Sequence, residues 1–367
     1  MNNSVREVEQ FETYTDVLEA FFAAPWSDGL PIVPPTVALV DEMIAAGTLA
    51  SGEIIGTLPG RQLSLHVWQA ATAAVMAGCR ADYFPVILAT WEAMFDPRFN
   101  LHGVFSSTGG AAIAAIVSGP YSDIIGMNSG TGVFSPGNRA NSTIGRAIRI
   151  GAMTSLQAIP GELDYGSFGH GGKYSFHFSE SAPPEPWLPV REQLGYPGAS
   201  TTVTAMPAEA PRQIMHRYSP SAEDLMKTIA AAMRDPSTNG VGSGTTFLVV
   251  LGPEHAGILA ASGISQRQLS EALSEMSKTS VSELAAAGLR HDASGAHYSP
   301  PDNAGRILTA RPEHILITTA GGHGAGWSTV VPCWTWTRST LPCTRQVRLP
   351  GELPLPPFSR AGFPDFA

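Results

Sequence analysis

Of the 22 basic residues in this chain, 19 are arginines and only three are lysines. Where basic residues have shifted so far to Arg, a retained Lys marks a place where the amine itself matters. Lys can lose its proton or form a Schiff base, and Arg cannot. Lys227 and Lys278 fall on amphipathic helical stretches and need no further reason. Lys173 closes Phe168-Gly169-His170-Gly171-Gly172-Lys173, a loop whose glycines let backbone N–H groups approach a bound anion. The run from Tyr174 to Glu180 alternates as a strand does, which places Lys173, Ser175 and His177 on one face and Phe176, Phe178 and Glu180 on the other. His170, Lys173, His177 and Glu180 are therefore the candidate catalytic set for acid–base chemistry. A plain tight turn with a surface histidine is the competing reading.

Further groups are candidates for holding substrate: Arg139, Asn141, His102, Glu254, His255 and His323. Asn141-Ser142-Thr143 opens a helix beside Arg139, and a helix start with a nearby cation suits an anionic group, although an ordinary N-cap explains Asn141 or Ser142 as well. His102 precedes the first apolar strand with Thr108-Gly109-Gly110. Glu254 and His255 follow a later strand at its carboxyl end, where open α/β sheets bind ligands. His323 sits in a second Gly-rich loop, Gly322-His323-Gly324-Ala325-Gly326, which has Gly326 where the first loop has Lys173.

Other chemistries find less support. His170, His177 and Glu180, or His170, His177 and His323, form a conceivable metal set, but their spacing matches no zinc pattern, so neither metal nor cofactor is assigned. GxxxxGK[ST], GxSxG and HExxH are absent from the sequence. The second Gly-rich loop precedes Trp327-Ser328-Thr329-Val330-Val331, which is not helical, so the dinucleotide reading fails its context. Cys79, beside Arg80, reads as a buried structural thiol.

The elements that must position these groups are legible in outline. Helices are expected over 15–24, 37–46, 63–77, 84–95, 141–153, 221–234, 254–262 and 265–277, and strands over 111–117, 245–251 and 314–319, with a connector of five prolines over 181–200. Alternation of this kind gives an α/β fold class. Three pairs of segments repeat in order: Glu92 to Pro97 with Ala231 to Pro236, Ile116 to Pro120 with Val249 to Pro253, and Gly169 to Ser175 with Gly322 to Ser328. The expectation is two similar halves from an internal duplication, each with helices around a short, mostly parallel sheet. Residues 1–60 form a helical arm and Pro-rich extended segment, 61–205 and 206–335 the two halves, and 336–367 a tail.

Composition bounds the partners. At 367 residues with 43% hydrophobic and 14% charged content, the surface is poorer in charge than the roughly 25% usual for a soluble domain, which points to a homodimer or larger homo-oligomer. The apolar set Trp68, Phe84, Trp91 and Phe95 and the N-terminal arm are candidates for that contact. A formal charge of −9 argues against nucleic acid and anionic membrane. No apolar run reaches the ~18 residues of a membrane span. An acidic start with Glu7, Glu9 and Glu12, and three unpatterned cysteines, point to the cytoplasm.

Four blocks carry a resemblance: Trp26 to Thr36, Met76-Ala77-Gly78-Cys79-Arg80, Asn141 to Ala147, and Gly169 to Tyr174. Together they resemble a large, poorly characterised bacterial family associated with small proteins bearing a Cys- or selenocysteine-Gly-Ser-Cys motif. The resemblance spans roughly residues 20–330 and brings no established reaction. It implies a small thiol- or selenol-bearing protein as a partner. In that family a Cys often stands at the position of His177, and a Lys at that of Gly326, so chemistry shared with a thiol partner is expected to differ here.

The expected function is an enzyme acting on a small polar, anionic molecule by cofactor-independent acid–base chemistry: a lyase, hydrolase or isomerase. The alternatives are a metal-dependent enzyme with His ligands, and a non-catalytic subunit or binding protein serving a thiol-bearing partner.

Overall fold

The structure, a computed structural model, describes residues 9–24, 26–196, 198, 200–235, 246–280, 283, 286, 288, 307, 308, 310–324, 326–334 and 340–351. Glu7, Pro236, Thr245, Ala325 and most of the expected tail lie outside the described residues.

The chain begins with α1 (Tyr14–Ala23), α2 (Val37–Ala45), β1 (Ile54–Leu58), β2 (Leu63–His66), α3 (Val67–Ala77), α4 (Phe84–Met94) and α5 (Leu101–Ser106). It continues through β3 (Ala112–Ser118), α6 (Tyr121–Ile124), α7 (Arg139–Leu156), β4 (Phe176–Ser179), α8 (Val190–Gln193), β5 (Thr202–Ala208) and β6 (Arg212–Met215). The remainder is α9 (Ala222–Met233), β7 (Phe247–Leu251), α10 (Pro253–Ala261), α11 (Gln266–Met276), β8 (Thr279–Ser280), β9 (Ile307–Leu308), β10 (Ile315–Thr319), β11 (Trp327–Pro332) and β12 (Cys343–Gln346).

Two four-stranded mixed sheets dominate, ordered β12-β5-β3-β4 and β10-β7-β11-β6. Alternation along their strands sends side chains to opposite faces and builds four layers. Ala112, Ala114, Ile116, Phe176, Phe178 and Met206 of the first sheet meet Leu248, Val250 and Val331 of the second in a central core. The other face of the first sheet, with Ala115, Val117 and Val203, packs under α3, α4 and α7. That of the second, with Val249, Leu251 and Ile317, packs under α9, α10 and α11. Paired backbone bonds join the sheets at two corners. Glu209 N–H donates to Pro332 O and Trp334 N–H to Pro207 O, both at 2.9 Å, while Ser181 N–H donates to Thr319 O at 2.8 Å.

The α/β class stands, and the expected mostly parallel sheets do not. In each sheet one pairing is parallel (β3 with β4, β7 with β10) and two are antiparallel. A parallel neighbour needs a crossover such as α6–α7 or α10–α11, whereas β5, β6, β11 and β12 arrive through extended connections that reverse direction freely. Both sheets repeat the same order of pairing senses. Gly-Pro follows the strand at the same place in each, after β3 and after β7. The third repeated segment fails this test, because the first Gly-rich loop leads into β4, parallel to its neighbour, and the second leads into β11, antiparallel to its own. From the expected tail, β12 completes the first sheet by pairing with β5, as β6 completes the second by pairing with β11.

Local boundaries shift for identifiable reasons. Residues 63–66, expected as helix, form β2 against β1, and the helix starts only after His66, whose backbone N–H donates to Gln69 Oε1 at 2.8 Å. The helix expected from 141 begins at Arg139, because the Asn138 side chain caps it by accepting from Asn141 N–H at 3.0 Å. No helix among the described residues is long and apolar enough to cross a membrane.

Candidate functional site

A cleft opens between α5, α7, the start of β3 and the loop before β4, lined by Phe105, Ile113, Gly145, Arg149, Asp164 and Lys173 among others. Its cavity of about 30 Å³ has room for a water or two, or for the head group of a ligand. Lys173 Nζ donates to both carboxylate oxygens of Asp164 at 2.8 Å. Arg149 Nη2 reaches Asp164 Oδ2 at 3.0 Å from the other side. One carboxylate thus sits between two cations, and the triad keeps one positive charge in excess at the cleft wall. Burial pushes the Asp164 carboxyl up, but the Lys173 bond and charge, the Arg149 charge and the Gly166 N–H outweigh it and hold the group below the usual carboxylate range.

Local backbone chemistry sets this arrangement. Gly166 and Gly169 pass directly over the Lys173 side chain: a Cβ on Gly166 would stand 3.1 Å from Nζ, and one on Gly169 3.0 Å from Cδ. Gly169 also has φ of +67°, a conformation other residues rarely adopt. On α7, Gly145 lets the helix lie against the strand end. A Cβ there would collide with Ser175 Oγ and stand 2.8 Å from His177 Nδ1. Ser175 and His177 therefore both abut α7.

His177 is fully buried, and neither ring nitrogen has a hydrogen-bond partner among the described residues. Burial pulls its pKa down to about 3, so the imidazole is neutral at ordinary pH. His170 and Glu180 have other duties. Gly172 N–H donates to His170 Nδ1 at 3.2 Å, so Nε2 carries the proton it gives to Ala208 O at 3.1 Å. Both nitrogens are committed to backbone, and burial lowers the His170 pKa against the Ala208 bond. Glu180 accepts from the Ser118 hydroxyl, from Val190 N–H at 3.0 Å and from the Thr318 hydroxyl at 3.1 Å, tying β3 to β10 across the two sheets. Burial raises its pKa although those donors oppose it. The expected four-residue catalytic set thus divides: Lys173 lines the cleft, His177 lies behind its Gly145 wall, and His170 and Glu180 hold the fold.

The expected substrate-binding residues do not converge on the cleft. Arg139 Nε donates to Gly78 O at 3.0 Å, outside it. Asn141 is buried inside α7, where its side chain accepts from Asn128 N–H and donates to Asn128 O, both at 2.9 Å, pinning the loop before the helix. His102 lies on α5, whose contributions to the cleft are Val104 and Phe105. Glu254, His255 and His323 gather at the second sheet instead. Gly324 N–H donates to Glu254 Oε1 at 3.0 Å, and exposed His323 stands 3.5 Å from that oxygen. Burial raises the Glu254 pKa less than backbone donors and His323 lower it. Fully buried His255 donates from Nε2 to His216 O at 3.0 Å and accepts at Nδ1 from the Ser328 hydroxyl at 2.7 Å. The metal alternative also loses its ligand set: among the described residues, no three His, Cys, Asp or Glu side chains group as a metal site.

Two site residues were missed from sequence. Neither Arg149 nor Asp164 is among the residues expected from sequence. Their signal was faint but present, since Asp164 is the acidic residue nearest the Gly-rich loop on its N-terminal side and Arg149 lies one turn beyond Gly145. Cys79 donates to Thr143 O at 3.2 Å, and burial pushes its thiol up to about 12, as suits an inert structural thiol. No protein-family model matches the chain, and no curated protein matches it.

Proposed function

We propose that the chain is an enzyme acting on a small anionic molecule at the Lys173–Asp164–Arg149 cleft by acid–base chemistry, a lyase, hydrolase or isomerase. The observation that carries this reading is the triad itself, with two cations, one carboxylate and an excess positive charge in a cleft of head-group size. Lys173, held at the cleft wall by its ion pair with Asp164, serves as anion clamp and proton donor. Arg149 supplies the planar second donor. His177, fully buried behind Gly145 with its basicity held down by that burial, packs the cleft wall and takes no part in the proton transfer.

A duplicated origin fits the repeated pairing order of the two sheets. It also fits a shared detail: Asp96 at the end of α4 pairs with Arg345 of β12, and Asp235 after α9 pairs with Arg212 of β6, each at 2.9 Å. On this reading each half ends in a strand that crosses to the other half's sheet. The family resemblance, the homo-oligomer, the cytoplasmic setting and the thiol- or selenol-bearing partner belong to the same proposal.

The test is titration calorimetry of the full chain with acetate. Wild type and the surface control Lys227→Ala should bind alike, and Lys173→Ala should weaken binding at least about tenfold, the loss of one charge-assisted bond. Equal binding by wild type and Lys173→Ala would reject the cleft as the anion site.

A further inference from the structure

Building on that anion-binding reading, we infer that the ligand is a carboxylate carried on an aromatic or other flat apolar group. The carboxylate enters the cleft, and the apolar part lies on the exposed rings of the 164–174 loop. A cavity of about 30 Å³ accepts a head group and little more, so the rest of any larger ligand must lie against whatever borders the mouth. The loop that brings Asp164 and Lys173 to the cleft carries exposed aromatic rings. Tyr165 follows Asp164 in the chain, Tyr174 follows Lys173, and Phe168 precedes Gly169, which packs on the Lys173 stem. Tyr165 is 52% exposed, Tyr174 55%, and Phe168 completely.

The loop carrying these rings is held by its backbone. Ser167 N–H donates to Thr108 O at 2.9 Å and Gly166 N–H to Asp164 Oδ1 at 3.1 Å. Gly110 and Gly169 touch so closely that a Cβ on Gly110 would stand 2.8 Å from Gly169 N. Three rings facing water within ten residues of a pinned loop, beside an excess cation, form a surface for an apolar body with an anionic end. A second copy of the chain is the other occupant such rings would suit, and the experiment separates the two.

Acetate and phenylacetate are titrated into the full chain as wild type, Phe168→Ser and Lys173→Ala, with light scattering on each. Covering about 60 Å² of ligand ring corresponds to about tenfold in Kd, so wild type should bind phenylacetate about tenfold more tightly than acetate. Phe168→Ser should shrink that preference to about twofold without changing the acetate Kd, and Lys173→Ala should weaken both ligands. Acetate binding with no preference for phenylacetate would overturn this inference and leave the cleft reading standing. Failure of both ligands to bind wild type would remove the cleft reading, and this inference with it. If Phe168→Ser dissolved an oligomer while the preference persisted, the rings would belong to a subunit contact and the inference would be wrong.

Discussion

Lys173 and His177 lie four residues apart in the chain, yet their environments differ sharply. Lys173 is bound to a buried carboxylate, so its removal is felt in stability as well as chemistry. Lys173→Ala leaves Asp164 with Arg149 alone and should cost about 2 kcal/mol in denaturant unfolding, whereas Lys173→Arg should retain most of the stability and still not restore turnover. A positioned acid or base is typically worth about 10²–10⁴-fold in rate, so full activity in Lys173→Arg would remove its proton-donor role. The pH dependence of His177 has the same sign as that of Asp164 but falls in a higher pH window. A folded pKa of about 3, against an unfolded value near 6.5, means the unfolded chain takes up this proton first, so stability falls as pH drops from about 6.5 toward 3. His177→Gln should flatten that fall in a series of thermal midpoints from pH 7 to 4. Asp164, with its folded pKa depressed, stabilises the fold above its unfolded value near 3.9 and loses that contribution as pH falls further. The two effects are therefore separable by pH.

Among the elements, α7 is the one on which the cleft depends, and its two central arginines hold two different segments of the chain. Arg149 turns to Asp164, while Arg146 holds Asp28 through bonds of 2.8 and 2.9 Å and also donates to Pro31 O at 2.8 Å, fastening the Pro-rich segment before α2. Asp28 is almost wholly buried, so Arg146→Ala strands a carboxylate and should cost about 3 kcal/mol, with new protease cleavage near 26–36. Asp28→Asn should cost less, because it removes the stranded charge. Gly145 sets how closely α7 approaches β4. Gly145→Ala should cost about 1–3 kcal/mol and weaken acetate binding, since the helix must retreat from Ser175 and His177 and carry Arg149 away from Asp164. A variant with unchanged stability would show that the helix has slack the packing does not suggest.

For the whole molecule, the core shared between the two sheets and the late strand β12 leave neither half complete by itself. Residues 1–209 lack β12 for the first sheet and expose Ala114, Ile116, Phe176 and Phe178 once the second sheet is gone. Expressed alone, 1–209 and 210–367 should each be insoluble or poorly structured, and co-expressed they should reassemble with native-like circular dichroism; a cooperatively folded 1–209 would contradict the four-layer core as the source of stability. The assembly is expected to be a homodimer or larger. Light scattering at micromolar concentration that returned a mass near 38.6 kDa would contradict it.

Local information was enough for much of the frame. The helical periods over 84–95, 221–234 and 265–277, the apolar runs at 111–117 and 314–319, and the Gly-Pro stops after two of the strands all reappear in the structure, because each rests on contacts within a turn or on a backbone constraint. The strand expected over 174–180 is shorter in the structure, Phe176–Ser179, and Lys173 lies in the turn before it, so only Ser175 and His177 are seen together against α7. Strand partners were not legible. Thr202–Ala208, with two threonines, two alanines and Pro207, carries no strand expectation, and it is a central strand because β3 and β12 are there to bond it. Nor was the identity of the site legible beyond Lys173. Whether a histidine is a catalyst or a backbone clamp depends on what faces each ring nitrogen: Ala208 O and Gly172 N–H for His170, and no hydrogen-bonding group among the described residues for His177. Those neighbours come from elsewhere in the chain, as do Arg149 and Asp164 around Lys173. The sequence by itself determined most of the helices, several strands and one residue of the site, Lys173. Only the tertiary structure decided which strands pair in which sense and which charges meet, because both depend on contacts between residues far apart in the chain.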